Sequence, residues 1–574
     1  MQTSSHGSAS ASNAALENQL AAELNLNPIL VRCLVNRGIH TADAAQRFLF
    51  PKLSDLDPPD QMADLPKAVK RLSQAVVNRE SVALFGDYDV DGLTSLAILY
   101  LFLRSLGCAV EVDVADRFSG GYGLSRATVE RVAASGVKLL VVSDCGSSDH
   151  DAIALANQHN IDVLVLDHHR IESHHPDALA FVNPHRSDCL FPDKNLCAVG
   201  LVFYFCAAVR TALAQSGHIE RTQIDMRQYL DLVALGTIAD VMPLVGNNRI
   251  LAFHGLRTMS ETRRPGIEAL LHASRVRSRQ MQSCHVSFYL APRINAAGRL
   301  ASAEDAFRVL VSDNAKDAES GAAVLERLTH ERREIEEGVS VQARAQAKTQ
   351  HSDGDRALVL AGEGWHKGVL GIVAARLGEE FSCPAFIIAW QGDEGTGSAR
   401  GQGQFNLYAA LKTLEPHLLR YGGHWDAAGF SLKRSEFGAF KARLQEVAQE
   451  MWRDPEIAGP AFDAKLNPSQ LTPKLLQDIL QLGPFGHENP EPVFRIVGLD
   501  VLSARVVGTN HLKLELKTPS GSISAFGPRM GASVANIGHC ISVLASLSPD
   551  EWRGDGALEL RLVQPPEPCS SENL

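Results

Sequence analysis

Asp87, Asp89 and Asp91 stand at alternate positions in Phe85-Gly86-Asp87-Tyr88-Asp89-Val90-Asp91-Gly92. Several like charges brought together raise the energy of a site by several kcal/mol unless a cation offsets them, so a cation site is one reading of this spacing. A turn or a helix cap uses the same residue types, and this stretch alone leaves both readings open. Three further stretches carry matching chemistry: Asp144-Cys145-Gly146, Asp167-His168-His169 and Gly236-Thr237-Ile238-Ala239-Asp240. For the histidine-bearing one, an ordinary polar loop after a strand is the alternative. Aspartate with imidazole suits Mn²⁺ or Mg²⁺, and the histidine favours Mn²⁺ over a purely oxygen-lined site. Two such ions, about 3.5–4 Å apart, are the usual device for phosphoester cleavage.

The elements that must position these residues read as α/β. The apolar run from Ser81 to Phe85 reads as a buried parallel strand, followed after Gly92 by a helix. Strands at Val82–Phe85, Ala109–Val114, Lys138–Ser143 and Asp162–Leu166 alternate with helices at Leu93–Leu106, Ser125–Ala134 and Asp149–His159. This alternation predicts a doubly wound parallel sheet, which binds ligands at the carboxyl ends of its strands. Three strand ends then bring Asp, Asp and His-His to one edge. A helix ending at Asp240 is a candidate fourth contributor.

The chain has 574 residues, 45% hydrophobic and 21% charged, which suits about three or four globular domains. Its net charge of -11 excludes a generally basic nucleic-acid coat but not a local basic groove. The 10 cysteines are scattered without a C-x-x-C pair, and they read as reduced core residues of a cytosolic protein rather than a thiolate zinc site. No run of about 18 apolar residues stands out, so no membrane span is expected. The Ser-, Ala- and Asn-rich start lacks a basic region followed by an apolar core and reads as a disordered tail, not a signal peptide.

Patterning divides the chain into a tail (1–19), a helical segment (20–78), the α/β domain (79–250) and a helical connector ending in a long bridging helix (251–350). A smaller α/β domain (351–455), a β domain (456–565) and a second tail (566–574) follow. In the β domain, Leu512, Leu514 and Leu516 alternate with Lys513, Glu515 and Lys517, as do Leu558, Leu560 and Leu562 with Glu559 and Arg561. Half-buried strands of this kind predict a small barrel; a partner-binding β domain would look the same. The run His330-Glu331-Arg332-Arg333-Glu334 reads as a solvated helix face, with phosphate contact the alternative. Gly-rich loops in 351–455 suit close backbone approach to phosphate.

In this order the four acidic stretches resemble the DHH phosphoesterase superfamily, and more narrowly the RecJ family of single-strand-specific exonucleases. The narrower resemblance rests on Arg117-Phe118 with Gly121-Tyr122-Gly123-Leu124-Ser125, on Val182-Asn183-Pro184-His185, and on Pro292-Arg293-Ile294-Asn295-Ala296-Ala297-Gly298-Arg299. It rests equally on the run from Trp365 to Ala374, on Gly422-Gly423-His424, and on Pro484-Phe485-Gly486 before Asn489-Pro490-Glu491-Pro492. It covers the chain from about Leu26 to about Val563. Ser143, where the family often has Val, and the variable Trp425-Asp426 are small departures that remove no ligand.

The resemblance implies a DHH domain, a DHHA1 domain and an OB-fold barrel. It implies two ions, Mn²⁺ or Mg²⁺: one on Asp91, Asp144, His168 and Asp240, the second on Asp89 and Asp144, with Asp87 a ligand or just behind one. His169 would face the scissile phosphate, forming the catalytic set with Asp144 and His168. Arg117, Ser398 and Arg400 would grip a 5′-terminal phosphate, an ordinary Gly-rich hairpin being the alternative for Ser398 and Arg400; Tyr122, Arg293 and His424 would be further substrate contacts, packing being the alternative for His424. The implied activity is 5′-to-3′ degradation of single-stranded DNA to 5′-mononucleotides in repair and recombination, by a cytoplasmic monomer away from membranes. A single-strand-binding protein and a RecQ-type helicase are the implied partners. Two alternatives stand beside it. One is a DHH phosphodiesterase for short oligonucleotides or cyclic dinucleotides, which would need neither the β domain nor the bridging helix. The other is an inactive DHH scaffold, whose mark would be lost ligands.

Overall fold

The structure is a computed structural model that describes residues 11–117, 123–171, 174–276, 278, 280–352, 354–452, 462–519, 521–550, 553–554 and 556–569. The chain forms two compact units: residues 1–291, 307–319 and 458–574 in one, and 292–306 with 320–457 in the other.

The first unit begins with helices α1 (Ala11–Leu24), α2 (Pro28–Asn36), α3 (Ala42–Leu49) and α4 (Leu65–Asn78). Residues 1–10 of the expected tail lie outside the described residues, and 11–19 are helical, because Leu16 and Leu20 pack against Val31 and Val35. The α/β segment follows as β1 (Val82–Gly86), α5 (Val90–Ser105), β2 (Val110–Val114), α6 (Arg126–Ser135), β3 (Leu139–Ser143), α7 (His150–Gln158), β4 (Asp162–Leu166) and β5 (Ala180–Val182). Then come α8 (Ala198–Gln215), α9 (Leu230–Ala239) and α10 (Gly246–Ser260). All pairings are parallel, in the order β2-β1-β3-β4-β5. The chain leaves β1 for β2 and then crosses back to β3. The point between β1 and β3, where the winding reverses, is where such sheets open a ligand crevice. β1 and β3 are buried along their whole length, as a strand covered on both faces must be.

The three-residue β5 was not anticipated; it is too short to carry a period. α8 also departs from expectation. Its 18 residues, at a mean hydropathy of 1.5, are long and apolar enough by length and composition to cross a membrane. Leu201, Phe205 and Val209 lie instead in the core of the unit, where α8 packs against α4, α5 and α9.

The helix Ala315–Gln350 has 36 residues; 315–319 fall in the first unit and 320–350 in the second. The second unit holds β6 (Leu358–Glu363), β7 (Ala385–Gln391), β8 (Glu394–Arg400), β9 (Arg420–Gly423) and β10 (Ala427–Lys433), ordered β6-β7-β8-β10-β9. Only β6 and β7 run parallel.

The C-terminal segment belongs to the first unit. Its strands are β11 (Ala464–Leu466), β12 (Phe494–Val507), β13 (His511–Thr518), β14 (Gly521–Gly527), β15 (Cys540–Pro549), β16 (Leu558–Leu562) and β17 (Glu567–Pro568). β12 pairs with both β13 and β15, which closes β12-β13-β14-β16-β15 into a barrel. Register shifts in β12, between Ile496 and Leu499 and between Val501 and Ser503, let one strand serve two partners. The barrel core includes Phe494, Ile496, Leu514 and Leu560 and is continuous with Leu30, Leu34, Ala45 and Leu49 of α2 and α3. Two of the N-terminal helices, α2 and α3, therefore contribute to the barrel's core.

Residues 566–569 of the second expected tail are ordered by the pairing of β17 with β15. Cys540 and Cys569 are joined as a disulfide, with Cα atoms 5.6 Å apart, so these two are not reduced core cysteines. Both features depend on long-range pairing that local pattern does not carry. The other eight cysteines are free, and all but Cys284 are buried.

Leu34→Ala should lower stability by about 2–5 kcal/mol, the usual range for a buried leucine. Because the core is shared, urea unfolding should show the helices and the barrel losing structure together. Barrel unfolding at the wild-type midpoint would contradict the joint core.

Candidate active site and metal centre

Each acidic side chain is set by a different local device. Asp89 is the N-cap of α5, its carboxylate accepting from the Asp91 N–H at 2.9 Å and the Gly92 N–H at 3.1 Å. Asp91, in the first turn of α5, is fully buried. Its oxygens accept from the Ala198 and Val199 N–H groups, both at 2.8 Å, at the N-terminus of α8. Unpaired N–H groups and the helix dipole favour a carboxylate there. Asp87 follows β1 and is 4% exposed. A Cβ on Gly92 would come within 2.5 Å of the Asp87 carbonyl oxygen, and one on Gly236 within 3.0 Å of the Asp91 carboxylate, so both close approaches require glycine.

Asp144 follows β3 in left-handed backbone, φ 61°, and its N–H bonds the Leu166 carbonyl at 3.0 Å. His168 comes from the end of β4. Its Nε2 lies 3.2 Å from Asp144, 3.6 Å from Asp240 and 3.8 Å from Asp91. Asp240 caps the C-terminus of α9. Ligand-type atoms of Asp91, His168 and Asp240 all lie within 4.8 Å of one another, as do those of Asp87, Asp89 and Asp144, and of Asp144, His168 and His169. Asp144 thus stands between two clusters.

Asp167 has a different role from its neighbours. It accepts from the N–H groups of Ser147, His168 and His169 and from His169 Nδ1 at 2.7 Å. It therefore shapes the turn and orients His169. Asn183, after β5, donates to the His169 carbonyl at 2.9 Å and to Ser147 Oγ at 3.1 Å. Neither role was read from the sequence, although Asp167 leads its triplet and Asn183 stands in a quoted motif.

The electrostatics follow from burial. Desolvation, then the Asp89 charge, pushes Asp87 well above the usual carboxylate range and Asp91 up to about 7. Asp144 rises by burial and then by the charges of Asp91, Asp89, Asp87 and Asp240; Asp240 rises by burial and then Asp91. Burial also opposes the Asp167 charge, yet the imidazole and hydrogen bond of His169 hold it well below the ordinary value. Burial opposes a charged His169 too, but Asp167 outweighs it and lifts the imidazole to about 9. Oδ1 of Asp87 is buried with no hydrogen-bond partner among the described residues. A buried acceptor without a donor, in a like-charged cluster with imidazole at hand, fits a divalent cation.

Arg117 stacks its guanidinium 4.2 Å from the Tyr88 ring centroid and favours the charged form of Asp87. Tyr122 lies outside the described residues. In the second unit, Ser398 and Arg400 end β8. A Cβ on Gly371, in the first turn of the helix Leu370–Phe381, would meet Arg400 Nη2 at 2.8 Å and Ser398 Oγ at 3.0 Å. A hydroxyl, a guanidinium and a helix N-terminus therefore come together there. His424 and Trp425 are exposed in the turn from β9 to β10. Arg293 is 5% exposed and donates two hydrogen bonds to Glu326, at 2.5 and 3.1 Å.

Family models match three segments: the N-terminal domain of the DHH family at residues 81–237, the DHHA1 domain at 354–450 and the RecJ OB domain at 462–564. The single-stranded-DNA-specific exonuclease RecJ of Escherichia coli K12 is 34% identical over 559 residues, covering 93% of this chain and 95% of that protein. The crystal structure of Thermus thermophilus RecJ in complex with Mn²⁺ aligns at 30% identity with a TM-score of 0.81, over 97% of this chain and 78% of that one. The Mg²⁺ complex of the same protein aligns at 29% identity with a TM-score of 0.75, over 97% and 77%.

The raised folded-state values of Asp91 and His169 have one consequence for the metal-free protein. Asp91 holds its proton more tightly folded than unfolded, so its contribution to stability falls as pH rises from about 4 to about 7. The His169 contribution is complete below about 6.5 and is lost as pH rises through about 9. Thermal unfolding in EDTA should show a midpoint that falls between pH 6 and 9, and Mn²⁺ should reverse the fall. A midpoint that is flat or rises over that interval would contradict this electrostatic description.

Proposed function

The chain belongs to the RecJ family of DHH phosphoesterases, and from that premise we propose that it degrades single-stranded DNA from the 5′ end, releasing 5′-mononucleotides. The observation that carries the reading is the pair of ligand groups Asp91, His168, Asp240 and Asp87, Asp89, Asp144, in which the buried Asp87 Oδ1 has no donor among the described residues. Asp91, Asp144, His168 and Asp240 would hold one divalent ion, and Asp87, Asp89 and Asp144 the other. Mn²⁺ or Mg²⁺ bound there would supply Lewis acidity that activates water and offsets charge on the phosphoryl group.

The chain's own groups do the rest. Asp167 engages Nδ1 of His169 and favours the imidazolium, so Nε2 is the donor presented to an oxygen of the scissile phosphate. Such a donor is most effective on charge that grows in the transition state. Asp91, buried against the α8 N-terminus, keeps its geometry without help from substrate. Arg117 offers a guanidinium beside the cluster, its plane fixed by Tyr88.

Polarity is assigned to the second unit. Ser398, Arg400 and the N-terminus of the helix Leu370–Phe381 have the donor chemistry for a dianionic 5′ phosphate. His424 and Trp425 lie in the neighbouring hairpin, since the Gly401 N–H bonds the Asp426 carbonyl at 2.8 Å. Trp425 offers a face for base stacking there. A cytoplasmic monomer working in repair and recombination, beside a single-strand-binding protein and a RecQ-type helicase, belongs to the same proposal and rests on the family alone.

Two oligonucleotides, one labelled at each end and supplied with Mn²⁺, test the reaction. The expected result is early release of the 5′ label as mononucleotide, with the matching blunt duplex intact. Early release of the 3′ label, or cleavage of dinucleotides only, would overturn it. Arg400→Ala should raise KM for a 5′-phosphorylated strand about tenfold or more, the scale of one lost charged hydrogen bond, and should shrink the preference over a 5′-hydroxyl strand. An unchanged preference would move the phosphate site elsewhere.

A further inference from the structure

The motif Pro484-Phe485-Gly486 with Asn489-Pro490 lies against the segment that leaves Asp240. Val241 follows Asp240 directly, at φ 55°, and is 66% exposed. A β-branched residue in left-handed backbone is an outlier that persists only when its surroundings over-determine it. Within the segment, the Val241 N–H bonds the Ile238 carbonyl and the Met242 N–H bonds the Thr237 carbonyl, both at 3.2 Å.

The remaining hold comes from 246 residues further along the chain. His487 Nδ1 is 3.1 Å from the Val241 carbonyl, and the His487 carbonyl accepts from the Leu244 N–H at 2.8 Å. Both ends of the Val241–Leu244 turn are thus tied to one residue. The neighbouring Gly486 sits so close that a Cβ there would meet Leu244 Cδ1 at 2.8 Å.

The loop that presents His487 is itself fixed. Asn489, 1% exposed, donates to the carbonyls of Leu482 and Pro484 at 2.9 and 2.8 Å, and Gly486 and Asn489 exchange backbone hydrogen bonds. Arg37 of the N-terminal helices donates to Asn489 Oδ1 at 2.9 Å and the Pro490 carbonyl at 2.6 Å. Arg249 of α10 donates to the carbonyls of Leu482, Gly483 and Phe48 at 2.8–2.9 Å.

We infer that His487 is a positioning residue for the metal centre: it holds the strained Val241–Leu244 turn and thereby fixes the direction in which Asp240 leaves α9. The C-terminal segment then has a role at the metal site apart from any contact with DNA. This rests on the reading of Asp240 as a ligand. Groups that orient ligands from outside commonly change metal affinity about 10–100-fold when removed.

The experiment is Mn²⁺ titration of the full chain by electron paramagnetic resonance, which counts free ion without reference to turnover. Wild type should bind two ions. His487→Ala should bind one of them about tenfold more weakly, with the other unchanged and the thermal midpoint in EDTA close to wild type. His487→Asn, whose amide can donate from nearly the Nδ1 position, should restore the affinity. Adding Val241→Asn to His487→Ala should also restore it, since asparagine tolerates left-handed backbone. Wild-type affinity in His487→Ala would overturn the positioning role while leaving the metal reading intact. A loss that His487→Asn does not restore would also overturn it. A wild-type chain that binds no Mn²⁺ would overturn both readings.

Discussion

The structure is governed by one electrostatic constraint: several carboxylates share a dry space that they could not occupy without compensation. Asp87, Asp91 and Asp144 are each at most 4% exposed. Burial and mutual repulsion both favour their protonated forms. Within the protein the compensation is partial. Asp91 has two helix N–H groups and Asp89 caps a helix, while the buried Oδ1 of Asp87 has no donor among the described residues and stands beside the Asp89 charge. That deficit is the strongest statement the molecule makes about a cation.

The topology explains why the carboxylates meet. Winding outward from β1 to β2 and back to β3 opens the sheet between β1 and β3, and Asp87 and Asp144 leave from the strands on either side. α5, α8 and α9 then close around the opening, and Gly92 and Gly236 permit contacts that any side chain would block. Asp167 sets the imidazole of His169 from behind, and Asn183 holds the His169 carbonyl.

The first unit is unified by contacts between distant parts of the chain. α2 and α3 complete the barrel core. Arg249 crosses from α10 to the loops around Phe48 and Leu482, with Phe48 stacked 3.6 Å from its guanidinium carbon. Its hydrogen bonds go to carbonyls, and burial followed by the charge of Arg37 pulls its pKa down to about 9. A buried cation met by carbonyl dipoles holds several segments in one place only while all of them are present. The barrel is in this sense part of the architecture around the α/β segment.

Local sequence determined the strand-turn-helix order, the alternate aspartates, the alternating leucines of the barrel and the long bridging helix, because period and turn chemistry act over a few residues. It also marked Asp87, Asp89, Asp91, Asp144, His168, His169 and Asp240, since these leave the ends of legible strands and helices. Tertiary structure alone decided what depends on distant partners. Asp167 became an orienting group because the backbone turned three N–H groups and an imidazole toward it. Arg293 pairs with Glu326 because the fold sets the two side chains opposite each other. Apolar α8 became a core helix because α4, α5 and α9 cover it, and Cys540 met Cys569 because β17 pairs with β15. Residue type sets what a side chain can do, whereas burial and neighbours set which of those things it does, and only the folded chain supplies them.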